Sequence, residues 1–372
     1  MGELFRLVRR HTGASQTRIA IAVSAAQSDV SQYMSDQRLV RDIGVLERIA
    51  AGLHMPDRLR RRFGLAPAED SEAETPLAPD PALEELHERL SAGAAIDSEL
   101  VTLLDTQTDH LRKLDRRLGA PVVHAQLREH VATVTTLWSH AVLERQRQPV
   151  AAVLADAATL AGWQSLDLGD LAEAWRFHEL ARAASKELWS PELLSHAMAQ
   201  QAYILIDAGH RNLALELAEE ARAIARPSVA PLLGAWLLGV VGEARAETGD
   251  GGGSRRAFDE AAAVLDALPE TEEIPYLSLD PAHLARWRGN ALVKLGDAAA
   301  VGHLNEALAE MGGEFSRART SLLTDLAYAH HAGGRTEDAR TQIGNARALA
   351  SKIGSRRQVR RIDQLDGLLR SA

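Results

Sequence analysis

Polar side chains suited to hydrogen bonding with nucleic-acid bases lie within residues 16–33, which read QTRIAIAVSAAQSDVSQY. The pattern predicts two short helices joined by a tight turn, and the second has an apolar inner face and a polar outer face. The outer face carries amides and hydroxyls, and a glutamine amide can form two hydrogen bonds with N6 and N7 of an adenine. A helix of this kind offers side chains to base edges in the major groove of DNA.

Five helices are predicted in residues 1–66, here called the head, and they form the frame for this segment. Leu4, Leu7 and Val8 give the first helix an apolar stripe at i, i+3, i+4 spacing. Gly13 ends that helix, and the Ser15 hydroxyl can cap the second by accepting from a free backbone amide. The other helices are predicted over residues 15–23, 27–34, 43–53 and 56–63.

The head resembles the helix-turn-helix domain of the phage-repressor or XRE-type family. A small residue stands where the two helices would cross, and apolar residues surround it. Ser24 stands where the family usually has a glycine in the turn; a left-handed residue other than glycine costs about 1–2 kcal/mol, so a different turn shape is expected. The matching positions are Gln16, Ile19, Ala20, Val30 and Ser31, with residues 45–50 and 52–53 of the fourth helix.

The resemblance implies DNA-contacting roles for seven polar residues. Base contacts specify the sequence, whereas phosphate contacts position the domain. The alternative is that these side chains form only a solvated face. By the resemblance, the base-reading residues are Gln27, Ser28 and Gln32, and the phosphate-binding residues are Gln16, Thr17, Arg38 and Arg41.

Two charged features of the head leave alternatives open. Asp29 lies on the outer face of the predicted recognition helix, where it either accepts from a cytosine amine or lowers affinity by repelling phosphate. The arginines at positions 58, 60, 61 and 62 form either a phosphate contact or a solvated charge run.

The charge distribution confines any contact with DNA to the head. Residues 1–66 contain eleven arginines and six acidic residues, a net charge of +5, so the remaining residues carry −14 of the total of −9. A basic head on an acidic body is not the pattern of a general nucleic-acid coat.

Length and composition indicate a cytoplasmic, soluble protein with more than one core. The chain has 372 residues, of which 46% are hydrophobic and only 4% aromatic, which favours packed helices. There is no cysteine, which excludes disulfides and thiolate metal sites. Arg6, Arg9 and Arg10 interrupt any secretory signal, and no apolar run is long enough to cross a bilayer.

An acidic, proline-rich linker is predicted over residues 67–96. Residues 66–82 contain four prolines and five acidic residues, so they cannot form a core. This acidity either competes with DNA for the basic head or only keeps a spacer solvated.

Residues 97–372 are predicted to form a repeat domain, because glycines recur at steps of 40, 40, 47 and 38 residues. A small residue precedes each glycine by seven positions, and in four cases another follows it by five: Ala174, Ala214, Val301 and Ala339. Residues 251–253 are interpreted as a loop insertion that moves this small residue to Ala257. The anchoring glycines are Gly169, Gly209, Gly249, Gly296 and Gly334.

This repeat resembles tetratricopeptide repeats, in which stacked helical hairpins bury what one hairpin cannot. The likeness covers residues 151–350, with an atypical leading pair over 97–148 and a capping helix over 355–370. It implies a concave groove for a peptide, a small molecule or a partner protein, because an asparagine amide can bond both groups of a peptide unit. The alternative is that the polar side chains of this face bind no ligand and contact only solvent. The inward-facing positions carried over are Trp163, Asp167, Tyr203, Asp207, Trp236, Glu243, Glu247, Arg286, Asn290 and Tyr328.

No catalytic chemistry is expected. The glycine-rich residues 249–253 lack the Lys-Ser/Thr of a phosphate-binding loop, and no histidine pair has metal-binding spacing. No nucleophile with an evident base is present. The sequence therefore predicts no enzyme activity, no metal and no cofactor.

Together the two parts predict an all-α protein with a small helix-turn-helix domain and a tetratricopeptide-like solenoid. The layout is similar to actinobacterial XRE regulators with tetratricopeptide repeats, which implies a homodimer that binds a double-stranded operator and senses an effector. The alternative is an interaction scaffold whose head does not bind DNA.

Overall fold

The structure, a computed structural model, describes residues 1–68, 81–226, 229–269, 274–312 and 316–371. All regular elements in those ranges are helices, nineteen in number, which confirms the predicted all-α fold. The chain divides into two compact units, Met1–Glu85 and Leu86–Ala372.

The five helices predicted for the head are present. Gly13 ends the first helix in a left-handed conformation, and the Ser15 hydroxyl caps the second by accepting from the Arg18 amide at 3.2 Å. Buried side chains that include Phe5, Val30 and Ile49 form the core. The helices are α1 Gly2–Thr12, α2 Gln16–Ala22, α3 Gln27–Met34, α4 Ile43–Gly52 and α5 Asp57–Arg62.

The turn between α2 and α3 closes without a glycine. Ser24 has a φ of +50°, so it takes the left-handed conformation itself, and the different turn shape expected from the absence of a glycine is not found. The Ala25 amide donates to the Ala20 carbonyl at 2.9 Å, so the turn remains tight despite a backbone cost of about 1–2 kcal/mol.

Part of the predicted linker is helical. Residues 69–80, which carry most of its acidic residues and two of its four prolines, lie outside the described residues. Pro81–Ala94 forms α6 within the range 67–96 that was assigned to the linker. Residues 82–91 of this helix are exposed. The helix therefore buries no apolar face that would have distinguished it from a spacer in the sequence.

The repeat domain consists of helical pairs followed by a single C-terminal helix. Within each pair the second helix packs against the first, and successive first helices from α9 onwards stack side by side. The first helices therefore form one layer and the second helices another. The elements are α7 Ser98–Leu118, α8 Ala120–His140, α9 Glu144–Asp167, α10 Leu171–Glu187, α11 Pro191–Asp207, α12 Arg211–Ala225, α13 Pro231–Glu247, α14 Gly251–Asp266, α15 Pro281–Lys294, α16 Ala300–Glu310, α17 Ser316–Ala332, α18 Thr336–Ile353 and α19 Arg356–Ser371.

The recurring small residues lie where the helices of a pair approach closely. A Cβ on Gly242 would lie 2.7 Å from a ring carbon of Phe258, and one on Gly289 would lie 2.5 Å from Leu304 Cδ2. The five anchoring glycines follow first helices with φ between +67° and +86°, a conformation that glycine adopts without steric cost.

The predicted loop insertion at residues 251–253 is wrong, because these glycines form the first turn of α14. The Asp250 carboxylate caps that turn by accepting from the Gly253 amide at 2.8 Å. Five residues after Gly249 stands Ser254, which is buried and donates to the Gly242 carbonyl at 2.8 Å, so this repeat is not shifted. In the next repeat the buried small residue is Ala300, and the expected Val301 is partly exposed.

The C-terminal helices return to the beginning of the repeat domain. A Cβ on Gly119 would lie 2.3 Å from the Ile353 carbonyl oxygen, and one on Gly354 would lie 2.4 Å from Pro121. The Ser355 hydroxyl donates to Asp167 at 2.5 Å, and α19 packs against α9 as well as α17 and α18. The helix predicted as a cap over 355–370 therefore also joins the two ends of the superhelix.

Two glycine substitutions in one helical pair should change stability in opposite directions. Gly289→Ala places its Cβ against Leu304 Cγ and Cδ2 and should lower the free energy of unfolding by about 1–3 kcal/mol. Gly302→Ala has no atom within 4 Å of its new Cβ and should raise it by up to about 1 kcal/mol. All six tryptophans follow residue 96, so urea unfolding monitored by tryptophan fluorescence reports on the repeat domain. Equal effects of the two substitutions would contradict the close packing of α15 and α16.

Candidate functional site

The outer face of α3 presents the three residues predicted to read bases. Gln27, Ser28 and Gln32 are all exposed. The Gln27 amide donates to the side-chain oxygen of Gln16 at 3.2 Å, which brings the first residues of α2 and α3 together. Thr17, beside Gln16, is exposed as well, so four polar side chains at two helix N-termini lie on or next to this face.

A salt bridge joins Asp29 to one of the predicted phosphate-binding residues. Arg38 Nη1 lies 2.7 Å from Asp29 Oδ1, and the Arg38 guanidinium carbon lies 5.9 Å from the centre of the Tyr33 ring. Asp29 is therefore compensated within the head rather than presented as an isolated negative charge. Arg41 is exposed and forms no ion pair with the residues that the structure describes.

The arginine cluster of α5 divides into one structural and three exposed residues. Arg60 is buried, and its Nε donates to the Ala66 carbonyl at 2.8 Å, which ties down the chain after α5. Arg58, Arg61 and Arg62 are exposed. Only these three are available to a phosphate backbone.

The first helices of the repeat domain line a cavity of about 280 Å³ that is partly open to solvent. Helices α9, α11, α13 and α15 form most of the wall, and residues of α7, α17 and α19 close it. Nine of the ten predicted groove residues line it: Trp163, Asp167, Tyr203, Asp207, Trp236, Glu243, Glu247, Arg286 and Asn290.

Tyr328, the tenth, does not line the cavity. Its hydroxyl donates to the Arg361 carbonyl at 2.9 Å, and the Arg361 guanidinium carbon lies 5.8 Å from the centre of its ring. This position on α17 faces α19, which the resemblance did not include in the repeat, so the inward register fails here.

Aromatic rings form a continuous wall along one side of the cavity. The centre of the His196 ring lies 5.0 Å from that of Trp236 and 4.7 Å from that of Tyr276. The Trp236 ring lies 6.1 Å from that of Trp287 in an edge-on arrangement. Such contacts fix the rings and leave their free faces to the cavity.

Three arginines of the C-terminal helices hold aspartates of other first helices, and we call this set the clasp. Arg317 of α17 pairs with Asp115 of α7 at 2.7 Å and with Asp167 of α9 at 2.9 Å. From α19, Arg357 donates two 2.7 Å hydrogen bonds to Asp207 of α11, and Arg361 lies 2.5 Å from Asp325 of α17.

Electrostatics favours the charged forms of the clasp. Burial alone would disfavour the Arg317 cation, but the nearby Asp115 and Asp167 outweigh it and raise the pKa of Arg317. Burial likewise acts to raise the pKa of Asp207, and the Arg357 guanidinium more than offsets this and lowers that pKa.

Glu243 is the acid of the cavity that lacks a cationic partner within ion-pair distance among the described residues. The Tyr203 hydroxyl donates to Glu243 Oε2 at 2.5 Å. Burial raises the pKa of Glu243 to about 7, although Arg286 acts in the opposite direction.

Two other predicted groove residues are engaged within the protein. Asn290, expected to bond a peptide unit, donates its amide to Asp325 Oδ1 at 2.8 Å. Glu247 pairs with Lys294 at 2.8 Å and with Arg211 at 3.3 Å. Glu247 is therefore paired before any ligand binds, whereas Asn290 keeps one N–H and its side-chain oxygen for other partners.

The sequence interpretation missed the clasp and much of the aromatic wall. Arg317 and Asp115 are 202 residues apart, and no periodicity links them. The only signal is the double pair of arginines at positions 356, 357, 360 and 361, too many for the polar face of a simple cap. His196, Tyr276 and Trp287 were not identified either.

No protein-family model matches the chain, and no curated protein matches its sequence. Among solved structures, it is similar to BtubC from P. vanneervenii, with a TM-score of 0.43 and 15% identity over 61% of this chain and 92% of that one. It is also similar to a putative kinesin light chain from Podosopora anserina with TPR-like repeats, with a TM-score of 0.35 and 17% identity over 53% of this chain and 94% of that one. PlcR from Bacillus thuringiensis was solved with the peptide PapR7 and DNA. Its TM-score is 0.37, with 12% identity over 99% of this chain and 98% of that one.

Within the described ranges, no helix is both long and apolar enough to span a membrane. The same ranges contain no group of three histidine or acidic side chains placed to hold a metal ion.

Replacement of Glu243 by glutamine should remove a pH dependence of stability. The pKa of this acid is about 7 in the folded protein and near 4.5 when unfolded, so the folded state binds the extra proton. The wild-type free energy of unfolding should therefore fall, relative to that of Glu243→Gln, as the pH rises from 4.5 to 7, by a total on the order of 3 kcal/mol. The test is urea unfolding of both proteins at several pH values across this range. Parallel pH profiles would contradict a buried, uncompensated carboxyl.

Replacement of Arg317 by glutamine should destabilise the repeat domain strongly. It leaves the buried carboxylates of Asp115 and Asp167 without their cation, which costs roughly 3–5 kcal/mol. Arg340→Gln is the matched control, because Arg340 forms an exposed pair with Glu337 that is worth less than about 1 kcal/mol. A loss of less than about 1 kcal/mol for Arg317→Gln would contradict the burial of Asp115 and Asp167 around this one cation.

Proposed function

We propose that this protein is a DNA-binding transcriptional regulator, in which two copies of the head bind an operator and the repeat domain senses an effector. The observation that carries the proposal is the exposed face of Gln27, Ser28 and Gln32 on α3, beside Gln16 at the start of α2. Side chains at the N-terminal end of such a helix reach base edges when the helix enters the major groove.

The charge of the head supports contact with a phosphate backbone. Its net charge is +5, and Arg41, Arg58, Arg61 and Arg62 are exposed. In the free head Arg38 is held by Asp29. Arg38 can exchange this partner for a phosphate, so Asp29 would reduce non-specific affinity without blocking the groove-facing residues.

Two copies are proposed because one α3 helix contacts too few base pairs to select a site. Two heads on one side of the DNA would read half-sites about one helical turn apart. The effector would act by binding one arrangement of the repeat domain better than another, which shifts the population able to place both heads on the operator.

The second candidate function is an interaction scaffold whose head does not bind DNA. It is supported by the cavity and the extensive helical surface of the repeat domain, because both could bind a protein partner without any nucleic acid. A related possibility is that the repeat domain holds a partner protein while the head binds DNA. Sequencing of genomic DNA bound by the full-length protein at two salt concentrations separates the candidates. A shared pseudo-palindrome retained at higher salt supports the regulator, and patternless binding lost with salt supports the scaffold.

Two classes of head variants should affect DNA binding differently. Gln27→Ala and Gln32→Ala should each weaken binding to the selected operator by about 1–3 kcal/mol and leave binding to unrelated duplex unchanged. Arg41→Gln should weaken both and reduce the salt dependence by about one counterion. Fluorescence anisotropy of labelled duplexes measures these affinities, with Gln107→Ala, an exposed glutamine of α7, as the control. Unchanged operator affinity in both glutamine variants would refute base reading by α3.

A further inference from the structure

One cation of the cavity differs from all the others in its surroundings. Arg112 pairs with Asp156, Lys294 pairs with Glu247, and the clasp arginines hold aspartates. Arg286 makes no ion pair or hydrogen bond with the described residues, and its Nε is buried without a partner. A buried polar group without a partner costs free energy, so its retention calls for an explanation.

The acids nearest to Arg286 do not neutralise it by direct contact. Burial lowers the pKa of Arg286, and the more distant carboxyls of Glu243 and Asp325 counteract this only in part. Asp325 is held by Arg361 and Asn290, and Glu243 accepts from Tyr203. The guanidinium is thus left with unused donors at the cavity wall.

The surface next to Arg286 is aromatic. Its guanidinium carbon lies 5.6 Å from the centre of the Trp287 ring, and Trp287 continues through Trp236 and His196 to Tyr276. A cation beside aromatic faces is complementary to a ligand with a planar anionic group and a flat apolar body.

The size of the cavity selects a compact ligand. About 280 Å³ is just below the range of about 300–1,000 Å³ typical of small-molecule sites. Clasp residues also form part of the wall, which narrows the room left for an extended peptide.

We propose that the repeat cavity binds a small aromatic carboxylate, whose anionic group accepts two hydrogen bonds from Arg286 and whose ring packs against Trp236, Trp287 and Tyr276. A carboxylate matches the guanidinium fork in geometry and charge, and it supplies the counter-ion that the protein does not. This inference rests on the proposed sensing function and specifies its effector class.

Glu243 gives this site a predicted pH dependence. The groups that face it are Tyr203 of α11, Arg286 of α15, Asp325 of α17 and Arg357 of α19. As the pH rises through about 7, Glu243 loses its proton and repels a bound carboxylate. Affinity should therefore fall with rising pH in the wild type and much less in Glu243→Gln.

The test is calorimetric titration of the full-length protein at pH 6.5 with benzoate, 4-hydroxybenzoate, 2-naphthoate and indole-3-acetate, each beside its neutral amide. At least one carboxylate is expected to bind with an affinity of millimolar or better, and its amide should bind at least about tenfold more weakly. Arg286→Gln should reduce carboxylate affinity by about tenfold or more, and Arg286→Lys should retain part of it. The matched control is Arg288→Gln, which removes a cation of the same helix that pairs with Asp259.

Several results would overturn the inference: no carboxylate of the panel binding at millimolar concentration, equal binding of an acid and its amide, or full binding by Arg286→Gln. Misfolding is controlled by urea unfolding, in which Arg286→Gln should be at least as stable as the wild type because it removes a buried Nε–H group without a partner. If the wild-type protein binds its operator but no carboxylate of the panel, the proposed carboxylate site alone is refuted. Loss of operator binding with intact carboxylate binding would refute the DNA-binding proposal alone.

Discussion

The architecture of the repeat domain depends on ion pairs between helices that are far apart in sequence. A stack of helical hairpins contacts only its neighbours and has two free ends. Here Arg317 of α17 reaches Asp115 and Asp167, and Arg357 of α19 reaches Asp207, so the last helices are fixed to the first ones. Isolated buried ion pairs are weak sources of stability, but loss of one partner leaves a stranded charge. The clasp therefore selects one closed arrangement more than it adds net stability.

The clasp narrows the groove to a partly open cavity in which most buried charges are paired. Each clasp carboxylate has its cation, whereas Arg286 and Glu243 remain outside this pairing. An anion at Arg286 would change the field around Asp325, which Arg361 of α19 holds. In the proposed site, the same network would link occupancy of the cavity to the helix that closes the domain. Such a link is what a sensor needs, because an effector acts only through a difference in affinity between two states.

Local patterns in the sequence predicted much of the fold, and long-range contacts escaped it. Capping by Ser15 and the positions of the anchoring glycines follow from neighbours along the chain, whereas Ser24 takes the left-handed conformation that its residue type argued against. Nine of ten groove residues were identified because a helical repeat has a fixed inward register, and Tyr328 failed where α19 breaks that register. Residues 251–253 were misread because glycines in a first helical turn resemble a loop when the cap at Asp250 is overlooked. Apart from Arg361 and Asp325, which are 36 positions apart, the clasp joins residues about 150 to 200 positions apart, which no local pattern encodes.

The measurement that tests the closed arrangement most directly is a spin-label distance between the two ends of the repeat domain. The chain contains no cysteine, so Arg117→Cys on α7 and Lys352→Cys on α18, both exposed, give unique labelling sites. Double electron–electron resonance should give one narrow distance distribution for this pair, and the addition of Arg317→Gln should lengthen and broaden it. A broad distribution without the Arg317 substitution, or an identical narrow one with it, would contradict closure by the clasp.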